Sequence, residues 1–116
     1  MLVKRRLSNS KPCLSLESQP EDALHIPSID VLMSSVAEVF HGRAIGVIMT
    51  GMGSDGAVGM SAIFRQGGLT IGQDEASCIV YGMPRVCAKL GVLDRIVPLA
   101  EIPSQIIRAI RRRRHA

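Results

Sequence analysis

At 116 residues the chain has room for a single core, so it is one domain or part of one. A composition 47% apolar and 21% charged is that of an ordinary globular protein, and no apolar run approaches the roughly 18 residues a membrane span needs. The net charge of +4 suggests nucleic acid only until it is located: nine of the fourteen basic residues lie outside 25–103, where seven acidic residues face five basic ones. The basicity belongs to the tails. The arginines at 111–114 read as a solvated tail, and Phe40, Phe64 and Tyr81 are too scattered to stack bases, so nucleic acid is not the expected partner. The start, MLVKRRLSNSK, is basic but lacks the apolar stretch of a signal peptide, which predicts the cytoplasm and no membrane insertion. Cys13, Cys78 and Cys87 are too few and too widely spaced for a disulfide framework or a zinc site, so they are expected to be reduced packing residues, with no metal and no cofactor.

Residues 1–24 carry no sustained period; Pro12 and Pro20 mark loop, and Leu14 and Leu16 alternate with serine as one short strand would. Ser28 is a candidate N-cap for a helix whose stripe is Ile29, Leu32, Met33, Val36, Ala37 and Phe40, ended by Gly42. Asp30, Ser34 and Glu38 fall off that stripe and are expected to face water. Residues 44–49 form an uninterrupted apolar run, suited to a strand buried on both faces of a parallel sheet. Gly51, Gly53 and Gly56 then permit a tight turn, and Ala57, Met60, Ile63 and Phe64 begin a helix that ends at Gly67-Gly68. A second strand follows at 69–73, then a loop or short helix over 76–83. A helix opened by Met83-Pro84 and stopped by Gly91 comes next, then a third strand at 95–98, and a last helix from Pro103 that fades into the arginines. Strands alternating with helices predict an α/β fold with a doubly wound parallel sheet. Three strands make that sheet thin, with open edges, so it is expected to be incomplete on its N-terminal side.

The turn GMGSDG, 51–56, fits G-x-G-x-x-G after a strand, with Asp74 placed where a ribose-binding acid would sit. Its chemistry opposes a dinucleotide: Asp55 puts a carboxylate where the pyrophosphate needs bare amides and a positive helix end. Two readings of Asp55 stay open. It caps the helix that follows, or it is the acid that orients a histidine in a Ser-His-Asp arrangement.

The stretch HIPSIDVLMSSVAEVFHGRAIGVIMTGMGSDGAVGM, with QDEASCIVYGMPR after it, resembles the catalytic domain of the bacterial chemotaxis protein-glutamate methylesterases, the CheB type. The resemblance runs over 25–99 and divides the chain into a poorly matched segment 1–24, the C-terminal part of a methylesterase catalytic domain at 25–110, and a basic tail at 111–116. It implies a doubly wound hydrolase that cleaves glutamyl methyl esters on methyl-accepting chemoreceptors, with glutamine deamidation in some members. Residue by residue, it puts the triad acid on Asp55 and an active-site-lining methionine on Met52. The family's serine and histidine lie N-terminal to everything matched. No serine here sits in a G-x-S-x-G elbow, neither Ser8 nor Ser10 follows a buried strand, and His25, His41 and His115 read as surface, capping or tail residues. The expectation is therefore a truncated or split methylesterase, inactive and poorly folded alone, whose partners are chemoreceptors and its own missing N-terminal part. The rivals are a non-catalytic module docking on a complete methylesterase or receptor, and a dinucleotide-binding module.

Overall fold

A computed structural model of the chain describes residues 2–5, 11–15 and 28–115. Two short strands come first, β1 (Leu2–Arg5) and β2 (Pro12–Ser15), paired antiparallel with Val3 opposite Leu14. The leucine–serine alternation signalled a strand around Leu14, but β2 opens at Pro12, which read as loop. β1 carried no such signal, since Leu2 and Val3 give way at once to Lys4 and Arg5, and its place is fixed by its partner strand and by packing on the next helix.

That helix, α1, runs Ile29–Phe40, and the Ser28 hydroxyl caps it by accepting the Val31 N–H at 3.2 Å. It stops two residues before Gly42: His41 takes a positive φ of 50° and its N–H closes on the Ala37 carbonyl. Glu38 is exposed as expected. Asp30 is not a water-facing residue; it is half-buried and bonded to another element, as described below.

Strands β3 (Ile45–Ile48), β4 (Leu69–Gln73) and β5 (Arg95–Val97) make a parallel sheet in chain order, with Ile45 opposite Leu69 and Ile71 opposite Arg95. Helices α2 (Ala57–Arg65) and α3 (Met83–Leu90) return the chain between them. Gly91, at φ 71°, ends α3 and sends its N–H to the Ala88 carbonyl. The last helix, α4 (Ile102–His115), begins one residue before Pro103 and runs through the arginines into which it was expected to fade.

Both faces of the sheet carry helix. Alternation sends Gly46 and Ile48 toward α2, where Met60 and Ile63 pack so close that a Cβ at Gly46 would lie 2.8 Å from the Met60 sulfur. Ile48, Ala57, Met60, Cys87 and Val92 form one buried cluster there, and Ala37, Ala44 and Ile63 form a second under α1, with Met33 packed against both. Arg95, which opposes Ile71 on the other face, donates to Gln105 Oε1 of α4 at 2.6 Å. The cover is uneven. Thr70, Ile71, Gly72 and Gln73 of β4 are all buried, whereas Ile45 and Val47 on the edge strand β3 are only half so. Among the described residues no strand pairs with the outer edge of β3, and an apolar edge of this kind calls for a covering partner. Among the described residues no helix is long and apolar enough to cross a membrane.

Cys87 sits in the middle of the buried cluster. Its burial, reinforced by the negative charge of Asp30, pushes the thiol up to about 11 from an ordinary value of 9.0. The folded state therefore holds this proton more tightly than the unfolded chain does. The stability it contributes is complete below pH 9 and is lost as pH rises through about 11. The urea midpoint should fall across that window, and Cys87→Val should flatten the fall relative to wild type. Equal slopes for the two proteins would show that other groups set the alkaline limit.

Candidate active site

The carboxyl ends of the three strands lie along one edge, which is where open α/β sheets gather their chemistry. Polar ties join the loops that leave them. Thr50, at the exit of β3, donates its N–H to Gln73 Oε1 at 2.8 Å, and its hydroxyl both donates to the Val80 carbonyl at 3.0 Å and accepts the Val80 N–H at 2.8 Å. Gln73 is 1% exposed, and its amide nitrogen donates to the Ser77 carbonyl at 2.8 Å. The Ser77 hydroxyl in turn accepts the Leu99 N–H at 3.0 Å, reaching the loop after β5. Periodicity by itself makes Gln73 no more than the end of a strand. A buried amide that satisfies donors and acceptors on two loops leaves no signature in spacing.

The 76–83 stretch, open between loop and short helix, is loop up to the start of α3. A parallel bridge between Gly51 and Tyr81 holds it, together with the N–H groups of Gly82 and Met83, which both donate to the Gly51 carbonyl. The tyrosine-glycine-methionine-proline-arginine run now has a physical reason. A Cβ at Gly82 would stand 2.4 Å from the Gly51 oxygen and 3.1 Å from the Gly53 nitrogen, both rigid backbone atoms, so only glycine lets the two turns close.

Within the 51–56 turn, Gly53 and Gly56 take positive φ of 83° and 101°. Met52 projects from it, 81% exposed, and Met49, Ile79 and Val80 are exposed beside the same bridge, giving the turn an apolar rim. Asp74 is used locally: its Oδ1 accepts the Ser77 N–H at 3.0 Å and the Ser77 hydroxyl at 2.6 Å. An acid held in its own turn does not stand ready for a ribose, which counts against the dinucleotide reading.

Asp55 is half-buried and does not cap the helix it precedes. The residue at the start of α2 is Gly56, which has no side chain to cap with, and the Asp55 carboxylate instead reaches back to α1. Its Oδ2 accepts the Ile29 N–H at 3.0 Å and its Oδ1 the Asp30 N–H at 3.1 Å. Asp55 is a helix cap, but of α1 and not of α2. Capping is satisfied here across 25 and 26 residues of sequence, which local pattern does not report.

His41 lies at the opposite end of α1, about 18 Å away for twelve residues at about 1.5 Å each, with Nδ1 3.3 Å from Gln66 Oε1. It does not approach Asp55. His25 lies outside the described residues, as do Ser8, Ser10 and Leu16.

Comparison with known proteins gives this geometry its context. Residues 1–106 match the CheB methylesterase family, a wider span than the motifs alone carry. A protein-glutamate methylesterase/protein-glutamine glutaminase of Bordetella pertussis is 47% identical over 108 residues, covering 93% of this chain and 31% of that protein. One of the same description from Pyrococcus abyssi is 42% identical over 104 residues, covering 90% and 28%. The crystal structure of the Thermotoga maritima CheB methylesterase catalytic domain superposes with a TM-score of 0.85 at 30% identity, covering 93% of this chain and 57% of that one. The chain thus spans about a third of the length of these curated relatives. With an edge-clustered turn, a doubly anchored acid and a family match over 1–106, the chain belongs to the CheB methylesterase family.

Proposed function

We propose that this chain supplies the triad acid and one wall of a protein-glutamate methylesterase active site. The reaction is hydrolysis of glutamyl methyl esters on chemoreceptors in the cytoplasm, with glutamine deamidation at the same site. The observation that carries this reading is Asp55, a carboxylate fixed at the carboxyl edge of a parallel sheet by two backbone amides. Each carboxylate oxygen has two acceptor positions, so both amide bonds leave room for an imidazole Nδ1–H. An acid in that place holds a histidine in the correct tautomer and stabilises the imidazolium as the histidine takes the serine proton. The serine then attacks the ester carbonyl, methanol leaves, and water releases the glutamate from the acyl-enzyme. Met52, at the apolar rim, lines the site beside the developing oxyanion.

The acid is neither nucleophile nor proton carrier, so the chain by itself is inactive in this reading. Serine and histidine come from the part of the catalytic domain that covers the open β3 edge. Methanol release from a methyl-esterified receptor fragment tests this. The full chain alone should release none, and the full chain combined in trans with the unmatched part of the Thermotoga maritima domain should release it. Release by the chain alone would sink this assignment of roles.

A further inference from the structure

Asp55 and Asp30 cap each other's helices. While Asp55 accepts the first two N–H groups of α1, the Asp30 carboxylate, on α1, reaches over to the start of α2. Its Oδ1 accepts the Gly56 N–H at 2.8 Å and the Gly59 N–H at 2.9 Å. Each carboxylate therefore sits at the positive end of the other's helix, where backbone donors are unpaired and negative charge is stabilised. The two helices are held in that register by contact. A Cβ at Gly59 would lie 2.4 Å from the Met33 Cβ, so α1 and α2 meet backbone to side-chain base. A Cβ at Gly56 would stand 3.5 Å from Ile29 Cγ2, which puts the first turns of the two helices one above the other.

A triad acid must present one oxygen to the imidazole in a fixed direction, and a turn rich in glycine does not by itself fix a side chain. We propose that the first amides of α1 and the Asp30 carboxylate are the positioning elements that set the Asp55 carboxylate for the incoming histidine. This rests on reading Asp55 as the triad acid. The amides hold the two carboxylate oxygens, and Asp30 holds the backbone on which Asp55 stands, through the amide of the very next residue. The orientation is then built into this chain before any histidine arrives.

The sequence offers a precise incision. Ile29 is the first helical residue and Ser28 before it is extended, at φ −103° and ψ 125°, so proline at 29 fits the helix while deleting the N–H that Asp55 Oδ2 accepts. Ile29→Ala keeps the N–H and loses the same packing. In the in-trans assembly, Ile29→Pro should lower kcat on the order of 10²-fold with KM unchanged, and Ile29→Ala should stay within a few-fold of wild type. In the full chain alone, NMR should show scalar couplings across the hydrogen bonds from the Asp55 carboxyl carbon to the Ile29 and Asp30 nitrogens. It should also show a single Asp55 χ1 rotamer that becomes averaged in Asp30→Ala. Equal kcat for the proline and alanine variants, absent couplings in the folded chain, or an unaveraged rotamer in Asp30→Ala would overturn the positioning role. These outcomes are separable from failure of the functional reading, which would appear as unchanged activity in Asp55→Asn.

Discussion

Asp55→Asn, measured in the in-trans assembly, should lower kcat about 10⁴-fold, the scale on which an amide in place of a triad carboxylate acts. The reason lies in both things this side chain touches. An imidazole offers its Nδ1–H to a carboxylate, and the NH₂ of asparagine favours the opposite tautomer, in which the nitrogen facing serine is no longer basic. Asparagine also has one oxygen where Asp55 uses two, for the Ile29 and Asp30 N–H groups. With the NH₂ turned to the imidazole, the two amides of α1 would have to share that one oxygen. The structural loss is small beside the catalytic one: weakening one cap costs about 1 kcal/mol. The urea midpoint of the full chain should thus move only slightly while kcat collapses. A fall in kcat of less than tenfold would remove Asp55 from the triad.

The second large effect is on stability. Met60 is 0% exposed, at the meeting point of α2, β3 and the cluster of Ile48, Ala57, Cys87 and Val92. Met60→Ala should cost about 2–5 kcal/mol, the lost transfer energy plus the cavity left behind. Set against about 5–15 kcal/mol for a whole domain, that is a large fraction. The cavity should not collapse easily, because Gly46, which faces the methionine sulfur from β3, has no side chain to fill it. Met60→Leu, which nearly conserves volume, should cost less than about 1.5 kcal/mol. Urea unfolding checks both, with an unchanged slope expected. A loss below about 1 kcal/mol in the alanine variant would show that α2 is not clamped on the sheet as described. Loosening α2 has a functional side too, since its first turn carries the amides that Asp30 accepts.

The organisation of the chain was legible because most of its elements, β1 apart, speak through local chemistry. The stripe from Ile29 to Phe40, the 44–49 run, the strand Leu69–Gln73 and the Gly91 stop each follow from side-chain periodicity or backbone freedom within a few residues. The motifs around Asp55 and at 81–85 added the family. Where local pattern misled, it did so at residues whose partners are distant. Asp30 fell on the polar side of its helix and so read as solvated, yet its acceptors serve Gly56 and Gly59. Asp55 read as a cap for α2 because it precedes α2.

By itself, then, the sequence determined the alternation of strand and helix, the glycine turn at a strand's carboxyl end and the single acid within it. These are properties of short stretches, set by period, propensity and sterics. Only the tertiary structure decided what that acid does at rest, which glycine lets the second turn close on the first, and that a buried glutamine ties the loops together. Each of those depends on backbone donors and acceptors brought together from twenty or more residues apart, and hydrogen-bond satisfaction over that distance is a property of the fold rather than of any window of sequence.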